Sequence, residues 1–94
     1  MKPKILWAPL AIQDLIQIKD YIQKDNPSAA KQQAEKIRKS AEKLIRFPQS
    51  GQKVSAIPGV RQVLAGNYYL FYRIQSSRIE ILRVYHTKRA KLIL

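Results

Sequence analysis

Arg61, Arg83 and His86 are the residues whose types suit chemistry on a phosphodiester. Cutting an RNA chain needs cations that hold the phosphate and groups that move protons to and from the 2′- and 5′-oxygens. Two arginines supply a clamp. An imidazole, whose ordinary pKa lies near neutrality, supplies an acid or base. Tyr69, Tyr72 and Tyr85 lie close enough in sequence to assist. A carboxylate is lacking, because Glu80 is the only acidic residue after Glu42. Its expected cross-strand neighbour is Arg73, which makes it an ion-pair partner before it is a base. The same residues also suit a surface that binds without reacting. Tyrosines are ordinary strand formers, and a histidine can simply end a strand.

Composition narrows the classes further. The chain has no cysteine and one histidine, which excludes disulfides, thiolate-held zinc and multi-histidine metal sites. No cofactor is expected. The basic start Met1-Lys2-Pro3-Lys4 is followed by an apolar run broken by Pro9, Gln13 and Asp14, unlike a secretory signal. No stretch is long enough to span a bilayer, so a cytoplasmic location is expected. Eighteen Lys and Arg against six Asp and Glu give a net charge of +12. Residues 1–47 hold ten basic and five acidic side chains, net +5, and residues 48–94 hold eight and one, net +7. Such a field attracts an acidic protein or a phosphate backbone. The 94 residues read as one domain, 1–94. A chain this short buries only about 60–65% of its unfolded surface, so a partner that covers apolar area matters to it.

The elements that must position these groups are legible from periodicity. Lys4-Ile5-Leu6-Trp7 is a short β-type run, with Trp7 an expected core anchor. Pro9 opens a helix expected to reach residue 24. Its apolar stripe is Ala11, Leu15, Ile18 and Ile22, widened by Ile12 and Ile16. Asp25-Asn26-Pro27 punctuates the chain: Asn26 can cap and Pro27 can start a second helix. Ala30, Ala34, Ile37, Ala41 and Leu44 form its buried stripe. Glu35 with Lys39, and Glu42 with Arg46, are expected surface pairs. Pro48 and Gly51 end this helix, and residues 48–59 are expected as loop. Three strands follow, at 60–65, 68–75 and 78–85. Gly66-Asn67 has the pattern of a type II′ hairpin turn, and Ser76-Ser77 makes a weaker turn. The predicted class is α+β, in the order β-α-α-β-β-β, with an N-terminal helical hairpin packed on a small antiparallel sheet.

Two-residue turns set the register. Ala65 then faces Tyr68, Arg61 faces Tyr72, Tyr72 faces Ile81 and Arg73 faces Glu80. Strict alternation puts Arg61, Val63, Ala65, Tyr68, Leu70, Tyr72, Ile74, Ile79, Ile81, Arg83 and Tyr85 on the more apolar face, which should take the helices. Arg61 and Arg83 then flank the central strand, about 10 Å apart. The other face mixes Tyr69, Phe71, Leu82 and Val84 with Arg73, Glu80 and His86. A monomer seldom leaves such a patch in water, so a partner chain or the 48–59 loop should cover it. Partner-binding residues are accordingly expected at Tyr69, Phe71, Arg73, Leu82 and Val84, joined by the basic tail residues Lys88 and Arg89.

In order and spacing these segments resemble the ParE branch of the RelE/ParE superfamily, the toxins of bacterial type II toxin–antitoxin modules. The resemblance runs from Trp7 to Arg89. Ala8-Pro9-Leu10-Ala11, Asp14-Leu15, Ile18 and Tyr21-Ile22 are similar to the family's first helix, and Asn26-Pro27-Ser28-Ala29-Ala30 to its interhelix turn. Phe47-Pro48-Gln49-Ser50-Gly51 is similar to its post-helix motif. Pro58-Gly59-Val60-Arg61, Tyr69-Leu70-Phe71-Tyr72-Arg73-Ile74 and Ile79-Glu80-Ile81-Leu82-Arg83-Val84-Tyr85-His86 resemble its sheet. The resemblance implies an acidic antitoxin that wraps the toxin, with a segment in the groove of hairpin and sheet. ParE-type members poison DNA gyrase, whereas RelE-type members cut mRNA on the ribosome. In the RelE-type reading, Arg61 and Arg83 are phosphate-binding and His86 is catalytic. The chain departs from that reading by lacking an acid/base carboxylate and a lysine cluster in 48–59, where Lys53 stands alone. The departure favours the ParE side. The alternatives are a RelE-like endonuclease and a relative that only binds its antitoxin.

Overall fold

Residues 3–88 are described by the structure, a computed structural model. Its elements are β1 (Lys4–Trp7), α1 (Pro9–Gln23), α2 (Pro27–Arg46), β2 (Gln52–Lys53), β3 (Arg61–Ala65), β4 (Tyr68–Gln75) and β5 (Arg78–His86). The helices pack as a hairpin on a sheet of order β1-β5-β4-β3-β2. This is the predicted α+β arrangement with two additions. The expected loop contributes β2, which pairs with Arg61 and Gln62 of β3. And β1 runs parallel to β5, from Lys4 opposite Arg78 to Trp7 opposite Ile81, where an antiparallel sheet was expected.

Local chemistry explains where the helices begin. Pro9 occupies the first turn of α1, where its missing N–H costs nothing. Ala8 offers no side-chain cap, and its own N–H goes instead to the Ile81 carbonyl at 2.9 Å, tying the helix start to β5. In α2 the Asn26 side chain accepts the Ala29 N–H at 3.0 Å, the expected cap. Ala30, Ile37, Ala41 and Leu44 are buried as the stripe predicts, whereas Ala34, expected with them, is exposed at the groove against α1. On α1, Ala11 is buried and Leu15, Ile18 and Ile22 pack on the core, but Ile12 and Ile16 stay about half exposed. The expected surface pairs on α2 are replaced. Arg38 sits one turn from both Glu35 and Glu42 and binds both carboxylates.

The hairpin registers follow the turns. Ala65 faces Tyr68, Arg61 faces Tyr72, Tyr72 faces Ile81 and Arg73 faces Glu80. Gly66, at φ +63°, takes the first turn position. The second turn has Ser76 at φ +46°, a conformation a non-glycine residue adopts at some cost.

One feature overrides strict alternation. The register between β4 and β5 shifts at Phe71/Tyr72: Tyr72 faces Ile81, while Phe71 faces Arg83. Leu82 is the extra residue of a β-bulge, so every side chain beyond it changes face. Val84 and His86 turn toward the helices, and Arg83 and Tyr85 turn away, the reverse of the sequence expectation. Val84 is therefore 2% exposed, inside the main core with Leu70, Tyr72, Ile79 and Ile81. Each such fully buried aliphatic or aromatic side chain contributes about 1.5–3 kcal/mol. On the opposite face, Val60, Phe71 and Tyr85 form a smaller cluster against Val54, Ile57, Tyr69 and Leu82. The 48–59 loop thus covers much of the mixed face itself.

Candidate functional site

The bulge decides where the candidate residues go. β1 stops pairing with β5 at Ile81, and the chain turns into α1, leaving the outer edge of β5 open. Asp14 fills that gap. Its Oδ2 accepts the Val84 backbone N–H at 2.9 Å and the Arg83 Nε–H at 2.9 Å, and its Oδ1 accepts from Arg83 Nη2 at 3.0 Å. Asp14 is 8% exposed, the one polar residue in the buried set among the described residues. A buried carboxylate needs such partners to offset its lost hydration. The hydrogen bond that Arg83 donates to Asp14 in turn holds the guanidinium above its ordinary pKa. Arg83 also lies over the Tyr85 ring, 4.7 Å from its centroid.

Arg61 is committed elsewhere. It points to the helical side of β3, and its Nη1 donates to the carbonyls of Gly51 at 2.8 Å and Gln49 at 3.3 Å. Tyr72 joins it there. The Tyr72 hydroxyl donates to the Pro48 carbonyl at 2.7 Å and accepts the Gly51 N–H at 3.0 Å. Burial pushes the Tyr72 phenol above its ordinary pKa. Arg61 and Tyr72 therefore clamp the turn that ends α2, which gives the Pro48-Gln49-Ser50-Gly51 segment a structural reason.

His86 ends β5 on the helical side, edge-on to Tyr68 at 5.1 Å between centroids. Its Nδ1 accepts the Lys88 N–H at 3.1 Å. Together with Asp14, Gln17 and Tyr21 it borders a hollow of about 310 Å³. Burial and the neighbouring Tyr21 push the Tyr68 phenol upward. From the register, Arg61 and His86 stand four residues and two strands apart, on the order of 16 Å between Cα positions. Arg83 lies on the other face. The three residues read as a catalytic set are thus not brought together.

An open cleft of about 580 Å³ lies between the Ile57–Val60 turn, the start of α1 and the bulged part of β5. Arg73, Ile74, Leu82 and Arg83 line it. Its cations are both held by carboxylates: Arg73 Nε donates to Glu80 at 2.7 Å, as register predicted, and Arg83 is held by Asp14. Such a cleft can seat an extended chain with acidic and apolar groups. Proton transfer would need a carboxylate freed from its arginine. A second groove, about 350 Å³ and mostly apolar, runs between the helices, with Trp7, Leu15, Ile16, Ala30 and Ala34 among its walls.

Of the residues expected to bind a partner, Tyr69 and Leu82 are partly exposed and Arg73 and Lys88 are exposed. Phe71 and Val84 are buried, the first by the loop and the second by the bulge. Arg89 lies outside the described residues. Sequence reasoning passed over Asp14, although a carboxylate three residues after Ala11 on a buried stripe was a usable signal.

The family model for the ParE toxin of the type II toxin–antitoxin system, parDE, matches residues 5–91. The chain is 29% identical to Toxin RelE2 of Caulobacter vibrioides over 87 residues, covering 92% of this chain and 97% of that one. Among solved structures it is similar to the chromosomal ParDE TA system from P. aeruginosa, with a TM-score of 0.79, 24% identity and coverage of 90% and 96%. It also matches the toxin–antitoxin complex RelBE2 from Mycobacterium tuberculosis, with a TM-score of 0.64, 22% identity and coverage of 92% and 99%. The structural likenesses share the helical hairpin on a sheet, and the family match spans nearly every element that carries it. The chain belongs to the ParE toxin family of type II toxin–antitoxin systems, within the RelE/ParE superfamily.

Proposed function

We propose that this chain is a ParE-like toxin that acts in the cytoplasm by inhibiting DNA gyrase, and that an acidic antitoxin neutralises it. The observation that carries this reading is the dispersal of the groups a nuclease would need. Arg61 holds the turn after α2, Arg83 holds Asp14, and His86 stands on the helical side. A binder of a topoisomerase needs surface and charge but no general acid.

The antitoxin reading rests on exposed apolar surface and charge. Ile16 is about half exposed at the apolar groove between the helices, and Ile12, one turn earlier on α1, is about half exposed too. A partner helix laid there would bury them, and its acidic side chains would meet a +12 toxin. A second segment, extended, fits the cleft at Leu82 and Arg73, and Tyr69 and Lys88 are expected to extend this contact. Structures with this fold include a toxin–antitoxin complex, RelBE2.

Inducing the chain in cells, with and without its antitoxin, tests the whole reading. Gyrase-linked DNA breaks and lost supercoiling with intact mRNA are expected. Codon-phased mRNA cuts would instead establish a ribosome-dependent endonuclease of the RelE type. Unimpaired growth would leave an antitoxin-binding protein without toxicity.

A further inference from the structure

The solvent side of α2 is divided by charge. At about 100° per residue, Lys36, Lys39, Lys43 and Arg46 fall within roughly 80° of arc. Their spacing of three, four and three makes one straight row. Glu35, Glu42 and Arg38 fall on the adjoining arc nearer α1, where Arg38 binds both carboxylates. The four cations of the row are exposed, and no salt bridge engages them among the described residues.

The row also has a definite place in the fold. Arg38 borders the groove against α1. The row lies farther round the helix, toward β3, where Gln33 donates to the Ala65 carbonyl at 2.8 Å and Ser40 to the Leu64 carbonyl at 3.1 Å. It is therefore separate from the inter-helix groove and from the cleft at Arg73. From Lys36 to Arg46 the helix rises about 15 Å. Phosphates of one strand of a duplex recur every ~3.4 Å along the axis, so four or so lie within that span.

We infer that this flank of α2 is a docking surface for the sugar–phosphate backbone of double-helical nucleic acid, distinct from the surface that meets the antitoxin. Four cations on a rigid rod, none held in a salt bridge among the described residues, match a stiff, regularly charged ridge better than a flexible acidic peptide. A single-stranded ligand calls for a row of stacking aromatics, and this flank ends in one ring, Phe47, with Arg46 5.8 Å from its centroid. The contact reads charge and spacing, so it carries no sequence preference.

The test is binding of the full chain to a DNA duplex of about 20 base pairs across a salt series, read by fluorescence anisotropy. Four phosphate contacts predict a contribution of about −3.6 to the slope of log K against log salt. The variant K36Q/K39Q/K43Q/R46Q should lose most of that contribution and at least tenfold in affinity at low salt. Glutamine keeps helix propensity, and circular dichroism checks the fold. The charge-matched control K4Q/K24Q/K31Q/R78Q should lose no more than about one unit of slope. Replacing the three lysines by arginine should preserve binding. Equal losses in the two glutamine quartets would overturn the proposal. So would polyglutamate binding the row as tightly as the duplex, which would mark it as an acidic-protein surface. Gyrase inhibition is scored separately, so a failed duplex contact and a failed gyrase reading remain distinguishable.

Discussion

The Asp14 carboxylate lies 2.9 Å from Arg83 Nε across 69 residues of chain, and the same oxygen accepts the Val84 N–H. One side chain of α1 thus closes the open edge of β5 and neutralises the arginine that the bulge has turned outward. Removing it takes the carboxylate away from a mostly buried guanidinium and from an edge N–H. Asp14→Ala should cost about 2–4 kcal/mol. For a domain of this size that lowers Tm by at least about 8 °C. Asp14→Asn, which keeps one acceptor oxygen, should fall between. Thermal unfolding of the three proteins measures this, and an unchanged Tm in Asp14→Ala would show that the latch contributes nothing.

Tyr72→Phe removes the hydroxyl that bridges the Pro48 carbonyl and the Gly51 N–H. The expected loss is about 1–3 kcal/mol, the cost of leaving those groups unpaired. The pH dependence has a definite sign. Burial raises the folded-state pKa of Tyr72 and Tyr68 above the ordinary phenol value of 10.0. Their stabilising contribution is complete below that value and is lost as pH rises through the raised folded pKa. Urea unfolding from about pH 8 to pH 11 should show a decline at the alkaline end that is shallower in Tyr72→Phe.

Gly51→Ala should destabilise by about 1–3 kcal/mol through overpacking. A Cβ there would sit 2.6 Å from the Tyr72 hydroxyl and 2.9 Å from the Gln62 carbonyl oxygen. The carbonyl belongs to a paired strand and has little room to yield. Chemical denaturation should also show Gly51→Ala and Tyr72→Phe to be non-additive, because they act on one contact.

His86→Ala should leave toxicity largely intact while costing about 1 kcal/mol of stability from its edge-on contact with Tyr68. An endonuclease using this imidazole would lose roughly 10²–10⁴-fold. Growth arrest on induction, with circular dichroism as the folding control, distinguishes the two outcomes.

Ile16→Asp should weaken antitoxin binding at least tenfold while changing stability by no more than about 1 kcal/mol. Ile16 is 55% exposed in the free chain and borders the groove between the helices. Calorimetric titration with the cognate antitoxin would measure it. Unaltered affinity would place the antitoxin elsewhere.

The sequence by itself determined the elements, their order and most of the register. Those depend on short-range chemistry: Pro9 and Pro27 at helix starts, the Asn26 cap, apolar residues recurring at helical spacing, and a glycine-led hairpin turn. It also determined the Arg73–Glu80 pair, since a two-residue turn leaves that arithmetic no freedom. Only the tertiary structure decided the fate of Arg83, Val84, Tyr85 and His86. With Ile81, Leu82 and Val84 all apolar, the chain carries two acceptable phases, and local pattern does not choose between them. The choice was made by a contact 70 residues away in sequence, where Asp14 satisfies the Val84 N–H beyond the end of β1. That contact requires the bulge, and the bulge parts Arg83 from Arg61 and moves His86 beneath the helices. A one-residue slip in a strand is nearly silent in sequence, yet it reverses every side chain after it.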